Sequence, residues 1–414
     1  MVKTLRQRKK RFKNSTHKKG KNKSYNQKIY IFIKTFILLI ILLYIGIYEY
    51  NILISNSFNE ISIIESKEYK NFNKMINKIT DPFHKTIMKD VNIIKHIFTD
   101  KTKVNKIGKN IIYITVSLNN NEDYKYILYV SMNSLLLSCN KRKTFVIYHI
   151  LCSPDFNELS IDIFKPLLRN YSKNVEMIFY NMGNYAINRA IRGYPPATYY
   201  RLLTPLFIKS DRLIHLDGDC LIFTDLYEMY NLNFHGNYVL GTYDILVGGV
   251  DYLGIKSNIY INSGVILLNL KKIKRDKKID ELLNLTINSN ITLKRNDQTA
   301  INYIFYPKIG RLPGKFGLWD FEDEDNLNNY LNILRTKIPK EEMIDALNNP
   351  GIIHLVLCNK KPWFNHRSYS KGIDYCKIKH HCPCKKYFDL WHSFAKKTEY
   401  YERIAKFTGV KYKL

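Results

Sequence analysis

The chain has 414 residues, and 45% of them are hydrophobic. That length and composition suffice for one large α/β domain with extensions, or for two domains. The formal charge is +29, which suits an anionic partner such as nucleic acid, phospholipid headgroups or a sugar nucleotide. Charge alone does not choose among these partners.

The N-terminus combines a basic arm with an apolar segment. Residues 1–28 hold twelve Lys and Arg and no acidic residue, and residues 29–48 contain one charge, Lys34. Twenty helical residues span about 30 Å, the thickness of a bilayer's hydrocarbon core. A cleaved signal peptide and a buried helix are the alternatives. We predict a transmembrane signal-anchor with a cytoplasmic arm, which places the rest of this type II protein on the non-cytoplasmic side, the Golgi or ER lumen in a eukaryote.

A stem is predicted over residues 49–108, where apolar residues recur at roughly helical spacing. An alternation of strands and helices follows, which indicates an α/β fold with a mostly parallel sheet covered on both faces. The predicted strands are 111–116, 144–150, 175–180 and 212–216, and the predicted helices are 124–137, 156–171 and 199–208. Ligands of such sheets bind beyond the carboxyl ends of the strands.

The strand predicted over 212–216 leads directly into Asp217, Gly218 and Asp219. Alternate side chains of extended backbone point the same way, so the two carboxylates can converge on a hard cation. Gly218 permits a tight turn between them. Buried like charges repel, so the pair is hard to explain in a dry core without a metal.

Five blocks of sequence stand in order around this motif. They are Tyr124 to Ser134, residues 198–226 with the Asp-Gly-Asp motif, residues 260–270, Asn296-Asp297-Gln298, and His354 with Lys361-Pro362-Trp363. In these blocks and their order the sequence resembles glycosyltransferase family 8, which comprises retaining enzymes with a GT-A fold. The resemblance covers roughly residues 110–365, within a predicted catalytic domain of residues 109–366.

The resemblance implies a site for each part of a UDP-sugar donor. Asp217, Asp219 and His354 would hold manganese, with magnesium as the alternative metal. Arg201 and Lys361, together with Gly218, would contact the nucleotide or its phosphates. The residues expected around the transferred sugar are Asp244, Asn262, Asp297 and Gln298, because amides and carboxylates read hydroxyl groups.

The implied reaction is retaining transfer of a hexose, glucose or galactose, from the UDP-sugar to a glycan, glycolipid or glycoprotein acceptor. An amide is a poor nucleophile, so we expect attack on the same face as the leaving group. Gln298 would stabilise the oxocarbenium-like carbon through its oxygen, and Lys361 would stabilise the leaving phosphate together with the metal.

Two departures from the family's pattern keep alternatives open. Asn121-Glu122-Asp123-Tyr124 stands where the family carries Asp-Asp-Asn-Tyr, and the closing motif is one residue longer, with Leu357 or Cys358 in place of a glycine. A weak or inactive sugar-binding membrane protein of the same fold is therefore one alternative. A nucleic-acid-binding protein is another, although no usual recognition motif is present, and we expect no nucleic-acid partner. A metal-dependent hydrolase usually needs more His and Asp ligands.

The C-terminal region, residues 367–414, holds Cys376, Cys382 and Cys384. A disulfide among them is the first interpretation and a structural zinc the second. The other cysteines lie in apolar segments, which is typical of core residues. The pattern of residues 387–407 predicts an amphipathic basic helix. Such a helix either packs on the domain or lies on the membrane surface, and we expect it to pack on the domain.

Overall fold

The computed structural model describes residues 78, 81–89, 91–97, 108–119, 121–156, 158–185, 195–244, 255, 259–287, 293–320, 327–328, 338–356, 361–364 and 384–410. Among these residues, none of the helices is long and apolar enough to cross a membrane. The predicted arm and anchor, residues 1–48, lie outside the described residues, as do Cys376 and Cys382.

Eleven strands form two sheets within the described ranges. In chain order they are β1 (Asn92–Ile97), β2 (Asn110–Leu118), β3 (Thr144–Cys152), β4 (Val175–Asn181), β5 (Leu213–Leu216), β6 (Cys220–Ile222), β7 (Val239–Tyr243), β8 (Ile261–Leu268), β9 (Ile309–Arg311), β10 (Phe316–Trp319) and β11 (Ile352–His354). The large sheet has the order β1-β4-β3-β2-β5-β8-β7-β9, and the small one β10-β11-β6.

The centre of the large sheet is parallel. Strands β4, β3, β2 and β5 run the same way, while β1 and β8 pair antiparallel on either side of them. All nine residues of β3 are buried, as expected for a parallel strand covered on both faces. The predicted α/β fold with a mostly parallel sheet is confirmed, and the antiparallel flanks are an addition to it.

The edge strand β1 comes from the region predicted to be the stem. It pairs antiparallel with β4, so the sheet begins before residue 109, the predicted start of the catalytic domain. A short helix, α1 (Pro82–Met88), precedes the strand. The carboxylate of Asp81 caps this helix by accepting the His84 backbone N–H at 2.9 Å, and Pro82 suits its first turn.

The remaining helices, in chain order, are α2 (Tyr124–Ser138), α3 (Glu158–Ile161), α4 (Lys165–Asn170), α5 (Thr204–Phe207), α6 (Tyr227–Tyr230), α7 (Leu270–Arg275), α8 (Lys278–Ile287), α9 (Asn296–Phe305), α10 (Lys340–Asn348), α11 (Cys384–Ala395) and α12 (Tyr401–Thr408). Two predicted α-helices are partly 3-10 helix instead, over Asp162–Phe164 and Pro196–Leu203. Pro166 and Pro205 have no N–H for an α-helical bond to the carbonyls of Asp162 and Arg201, so neither of these carbonyls can accept one.

Apolar clusters cover both faces of the large sheet. The neighbouring residues Leu213 and Ile214 of β5 belong to different clusters, since successive strand side chains point to opposite faces. One cluster includes Leu128 of α2, and the other includes Tyr199 of the 3-10 helix. The sheet is therefore a rigid layer, and the candidate site begins where its strand β5 ends.

Candidate active site

The Asp-Gly-Asp motif bridges the two sheets, because Asp217 follows β5 and Asp219 precedes β6. The Asp217 N–H donates to the Gly264 carbonyl at 2.7 Å, and the Asp219 carbonyl accepts the Leu355 N–H at 3.1 Å. A side chain at Gly218 would place its Cβ 2.6 Å from the Tyr124 hydroxyl. The motif therefore needs glycine at its centre for its close approach to the Tyr124 side chain of α2.

Both carboxylates of the motif approach one imidazole. Nε2 of His354 lies 3.1 Å from Asp219 Oδ1 and 3.9 Å from Asp217 Oδ2. His354 ends β11, which pairs antiparallel with β6, so the small sheet delivers the histidine to the motif. A Cβ at Gly264 would stand 2.2 Å from His354 Cε1 and 2.5 Å from Asp217 Oδ2. The backbone of β8 thus lies directly against the side chains of His354 and Asp217.

Each carboxylate also has a cationic partner. Asp217 Oδ1 accepts a hydrogen bond from Arg201 Nη2 at 2.8 Å, and Asp219 Oδ2 accepts one from Lys361 Nζ at 3.0 Å. Burial alone would raise both carboxyl pKa values, but Arg201 holds the pKa of Asp217 well below its usual range. Lys361 and His354 lower that of Asp219 to about 2. The expected repulsion is therefore offset by these cations, and the site is not dry: the side chains are 32% and 21% exposed.

His215 supports Asp217 from inside the domain, a role that the sequence analysis missed. Its Nε2 lies 3.2 Å from Asp217 Oδ1, and its side chain is fully buried. Burial, together with the charge of Arg201, lowers the pKa of His215 to about 4, so the neutral ring donates Nε2–H to the carboxylate. The signal was available, because residues two apart on a strand face the same way.

Arg201 lies deeper than the predicted phosphate contact implies. It is 4% exposed, and its guanidinium donates to the carbonyls of Thr198 and Ser263 as well as to Asp217. Nε also lies 3.2 Å from Asp297 Oδ2. In this structure Arg201 is a bridge between two carboxylates, and its contact with the nucleotide stays a prediction.

The residues predicted around the sugar form one buried hydrogen-bonded network. Gln298 Nε2 donates to Asp244 Oδ2 at 2.7 Å, and its Oε1 accepts the Ser263 N–H at 3.2 Å. A carboxylate only accepts and an N–H only donates, so these partners fix the amide's orientation. Asn262 Nδ2 also approaches Asp244 at 3.5 Å, while its Oδ1 accepts the Gly264 N–H at 2.8 Å.

Asp297 is a buried carboxyl group of this network, and the neighbouring cation offsets its burial only in part. Burial raises its pKa to about 6, against the opposing charge of Arg201. Within the described part of the chain, its Oδ2 accepts no hydrogen bond, although Arg201 lies close. Another cation that sequence reasoning missed, Arg295, has Nη1 at 3.8 Å from Asp244 Oδ2 and is 39% exposed. It stands at the outer side of the same network.

The donor atoms at the motif fit a divalent cation. Carboxylate oxygens and imidazole nitrogens are both ligands of divalent metal ions in proteins. In the described residues, Asp219, Cys220 and His354 place one potential ligand atom each within 4.8 Å of one another. Burial and the charge of Asp219 raise the pKa of the Cys220 thiol well above its usual value, so the neutral thiol is a weak ligand. The core position predicted for Cys220 agrees with its 1% exposure.

A model of glycosyltransferase family 8 matches residues 115–367, which is more than half of the chain. The protein belongs to glycosyltransferase family 8, and the resemblance found in the sequence is confirmed.

Two curated relatives are glycosyltransferases of Streptococcus pneumoniae serotype 4. GlyE is 25% identical over 119 residues, which are 29% of this chain and 27% of GlyE. GlyF is 24% identical over 188 residues, which are 44% of this chain and 46% of GlyF. The chain therefore spans less than half the length of these relatives.

Solved structures share the fold. The bifunctional glycosyltransferase WbbM superposes with a TM-score of 0.55 at 18% identity, covering 72% of this chain and 52% of that one. An active-site glutamine-to-glutamate mutant of LgtC superposes with a TM-score of 0.50 at 19% identity, covering 71% of this chain and 100% of that one. These likenesses show an α/β, GT-A-like glycosyltransferase fold.

Proposed function

We propose that this family member is a metal-dependent, retaining hexosyltransferase that uses a UDP-sugar, with UDP-glucose and UDP-galactose as the first donors to test. A glycan, glycolipid or glycoprotein accepts the sugar. The observation that carries the proposal is the approach of Asp217 Oδ2 and Asp219 Oδ1 to Nε2 of His354, inside a family 8 domain.

Asp217, Asp219 and His354 would hold manganese or magnesium. When bound, such an ion neutralises the negative charge that develops on a departing diphosphate. The chain's own contribution is to keep both carboxylates ionised, through Arg201 at Asp217 and Lys361 at Asp219. His215 fixes one of them in orientation, as supporting hydrogen bonds do for metal ligands.

Lys361 is the cation available to the leaving phosphate. Its side chain is 22% exposed, and its ammonium lies 3.0 Å from Asp219, so it stands beside the ligand cluster. A positive charge at that position stabilises the phosphate oxygens as the bond to the sugar breaks. The acceptor's proton passes to the departing phosphate itself.

Gln298 supplies the remaining positioned group. Asp244 and the Ser263 N–H hold its amide at both ends, and an amide oxygen has a second lone pair. That lone pair is the group we assign to the oxocarbenium-like carbon during same-face attack. The assignment needs no covalent intermediate on the protein.

The test is release of UDP from UDP-glucose and UDP-galactose, with manganese, with magnesium and with EDTA. Turnover of one donor that depends on the metal is the expected result. UDP binding without turnover of any donor would favour the inactive sugar-binding protein instead. Product stereochemistry, read by NMR from the anomeric proton, checks retention.

We also propose that residues 29–48 anchor the protein with the catalytic domain on the non-cytoplasmic side. The support is the apolar segment behind a basic arm, since Lys and Arg favour the cytoplasmic side. Protease added to the cytoplasmic face of sealed membranes should remove only the arm. Digestion of residues 109–366 from that face would reverse the orientation.

A further inference from the structure

Two helices beyond the family-matched segment pack on the catalytic domain. Helices α11 and α12 follow residue 367, where the family match ends. Trp391 and Ile404 are 1% and 0% exposed, so the packing predicted for residues 387–407 is observed. The single helix predicted there is two helices, because the chain turns between Ala395 and Tyr401. These helices are part of the folded domain, and their contacts with the site can be traced.

Helix α11 lies against the turn that carries Lys361. Nε2 of His392 is 3.1 Å from the carbonyl oxygen of Pro362, and His392 is 4% exposed. Because a carbonyl only accepts, Nε2 carries the hydrogen and donates it. The rings of Trp363 and Trp391 have centroids 5.5 Å apart, so the next residue of the turn also packs on α11.

The same turn places the Lys361 side chain beside the Asp-Gly-Asp motif. The Phe364 N–H donates to the Lys361 carbonyl at 2.9 Å, which closes the turn. The Lys361 ammonium then contacts Asp219 Oδ2 at 3.0 Å and the Leu355 carbonyl. Lys361 immediately precedes Pro362, whose carbonyl accepts the hydrogen bond from His392.

The turn between the two helices is fixed to α2 and to its neighbours. Glu399 accepts hydrogen bonds from the Tyr129 hydroxyl and from Asn170 Nδ2, both at 2.7 Å. The Tyr400 hydroxyl donates to the Ile163 carbonyl at 3.0 Å. Because the helices are anchored at a second place, His392 provides a fixed reference point for the Lys361 turn.

We propose that His392 is a positioning residue, which sets the place of the Lys361 ammonium through the Pro362 carbonyl and so tunes affinity for the diphosphate of the donor. The inference rests on the proposed function, because it takes a nucleoside diphosphate as the ligand of Lys361. Without the His392 hydrogen bond, a buried carbonyl loses its partner and the turn loses its reference.

The test measures the binding of UDP with manganese to the full-length protein by calorimetry. His392→Phe keeps a ring beside Trp391 but removes the donor, and it should raise the dissociation constant about tenfold. His392→Gln retains an N–H at a similar reach and should stay within about twofold of the wild type. Ser393→Ala, on the exposed side of the same helix, is the matched control and should change nothing. If His392→Phe is insoluble, His392→Leu takes its place.

A double-mutant cycle separates positioning from general support of the fold. In a Lys361→Met background, His392→Phe should add less than about twofold to the dissociation constant, because both changes act through one ammonium. An unchanged dissociation constant in the single variant, or full additivity in the cycle, overturns the inference while leaving the proposed function standing. A wild-type protein that binds no UDP with manganese overturns both.

Discussion

The candidate site has two halves that are built differently. The metal half is the proposed site of the metal and the phosphates, Asp217, Asp219, His354 and Lys361. The sugar half is the proposed site of the transferred sugar, Asp244, Asn262, Asp297 and Gln298. Carboxylates of the metal half are 32% and 21% exposed and are paired with cations. In the sugar half the exposure does not exceed 9%, and the amides bond to Asp244 and to the backbone.

This difference suits two kinds of ligand. A diphosphate and its metal bring charge, so the groups that meet them must be ionised and reachable, and their present partners must be exchangeable. A sugar brings neutral hydroxyls, which are discriminated best by buried polar groups already fixed in place. The comparison predicts that changes in the metal half act on binding of metal and diphosphate as well as on turnover, and that changes in the sugar half act on turnover alone.

The largest effect is expected from Asp219→Asn, which keeps the shape of the side chain but removes its charge. Manganese-dependent turnover should fall by about a thousandfold or more, because leaving-group stabilisation supplies several kcal/mol. UDP with manganese should stabilise the wild type against heat but not the variant. Asp211→Asn is the control, because Asp211 is exposed and lies just before β5, the strand that leads into the Asp-Gly-Asp motif.

Metal-free stability gives this substitution a second readout. Since cations lower the pKa of Asp219 to about 2, its charge contributes to stability, and the variant should lose at most about 2.5 kcal/mol near neutral pH. Repulsion between the two carboxylates would instead make the variant more stable. If Asp219→Asn kept full manganese-dependent transfer, the assignment of the metal to the metal half would be wrong.

A smaller effect, confined to turnover, is expected from Gln298→Leu. The amide is the group assigned to the anomeric carbon, and its loss should lower kcat about a hundredfold. Binding of UDP with manganese should stay within about twofold, because UDP lacks the transferred sugar. Tyr303→Phe, exposed on the same helix, is the control. An equal loss in UDP binding would show that the two halves are not separate.

Gly264→Ala probes the β8 backbone next to both halves and should have a moderate effect. The added Cβ would meet His354 Cε1 at 2.2 Å and Asp217 Oδ2 at 2.5 Å, so ligands must shift without being removed. We expect affinity for manganese in the presence of UDP to fall about tenfold or more, as followed by electron paramagnetic resonance. Unchanged affinity would mean that these side chains are free to move.

The sequence predicted the four parallel strands at the centre of the large sheet, and it named residues that the structure brings together in both halves; their roles stay predictions. Asp217 and Asp219 could be found because they end an apolar strand, and Asp297 and Gln298 because they stand in a family block. Nothing in one sequence shows which partner each group has. Arg201 was expected at the phosphates, yet it bridges Asp217 and Asp297 from below, which depends on long-range packing.

Helix type was the weaker part of the prediction, for a local reason. Residues 199–208 have an α-helical pattern, but Pro205 has no N–H to donate to the Arg201 carbonyl. That carbonyl accepts the Thr204 N–H instead, a 3-10 bond, and also the Thr204 hydroxyl at 2.8 Å. The edge strand β1 was missed because its six residues carry little periodic signal.

The smallest expected effect is a difference in the pH dependence of stability between the two halves. The pKa of Asp297, in the sugar half, rises to about 6 on folding, so between about pH 4 and 6 the native state binds more protons than the unfolded chain. This contribution to the free energy of unfolding therefore falls as pH rises. The pKa of His215, beneath the metal half, drops to about 4. The contribution of His215 to the free energy of unfolding therefore rises with pH between about 4 and 6.5, opposite to the contribution of Asp297.

Asp297→Asn removes the falling contribution and leaves the rising one. The free energy of unfolding should then increase between pH 4 and 6.5 by about 2 kcal/mol more than in the wild type. His215→Gln should change the slope in the opposite direction. Denaturant unfolding with EDTA at a series of pH values measures both, with Asp211→Asn as the control. Parallel curves for Asp297→Asn and the wild type would mean that Asp297 titrates normally, and that the sugar half is wetter than its burial indicates.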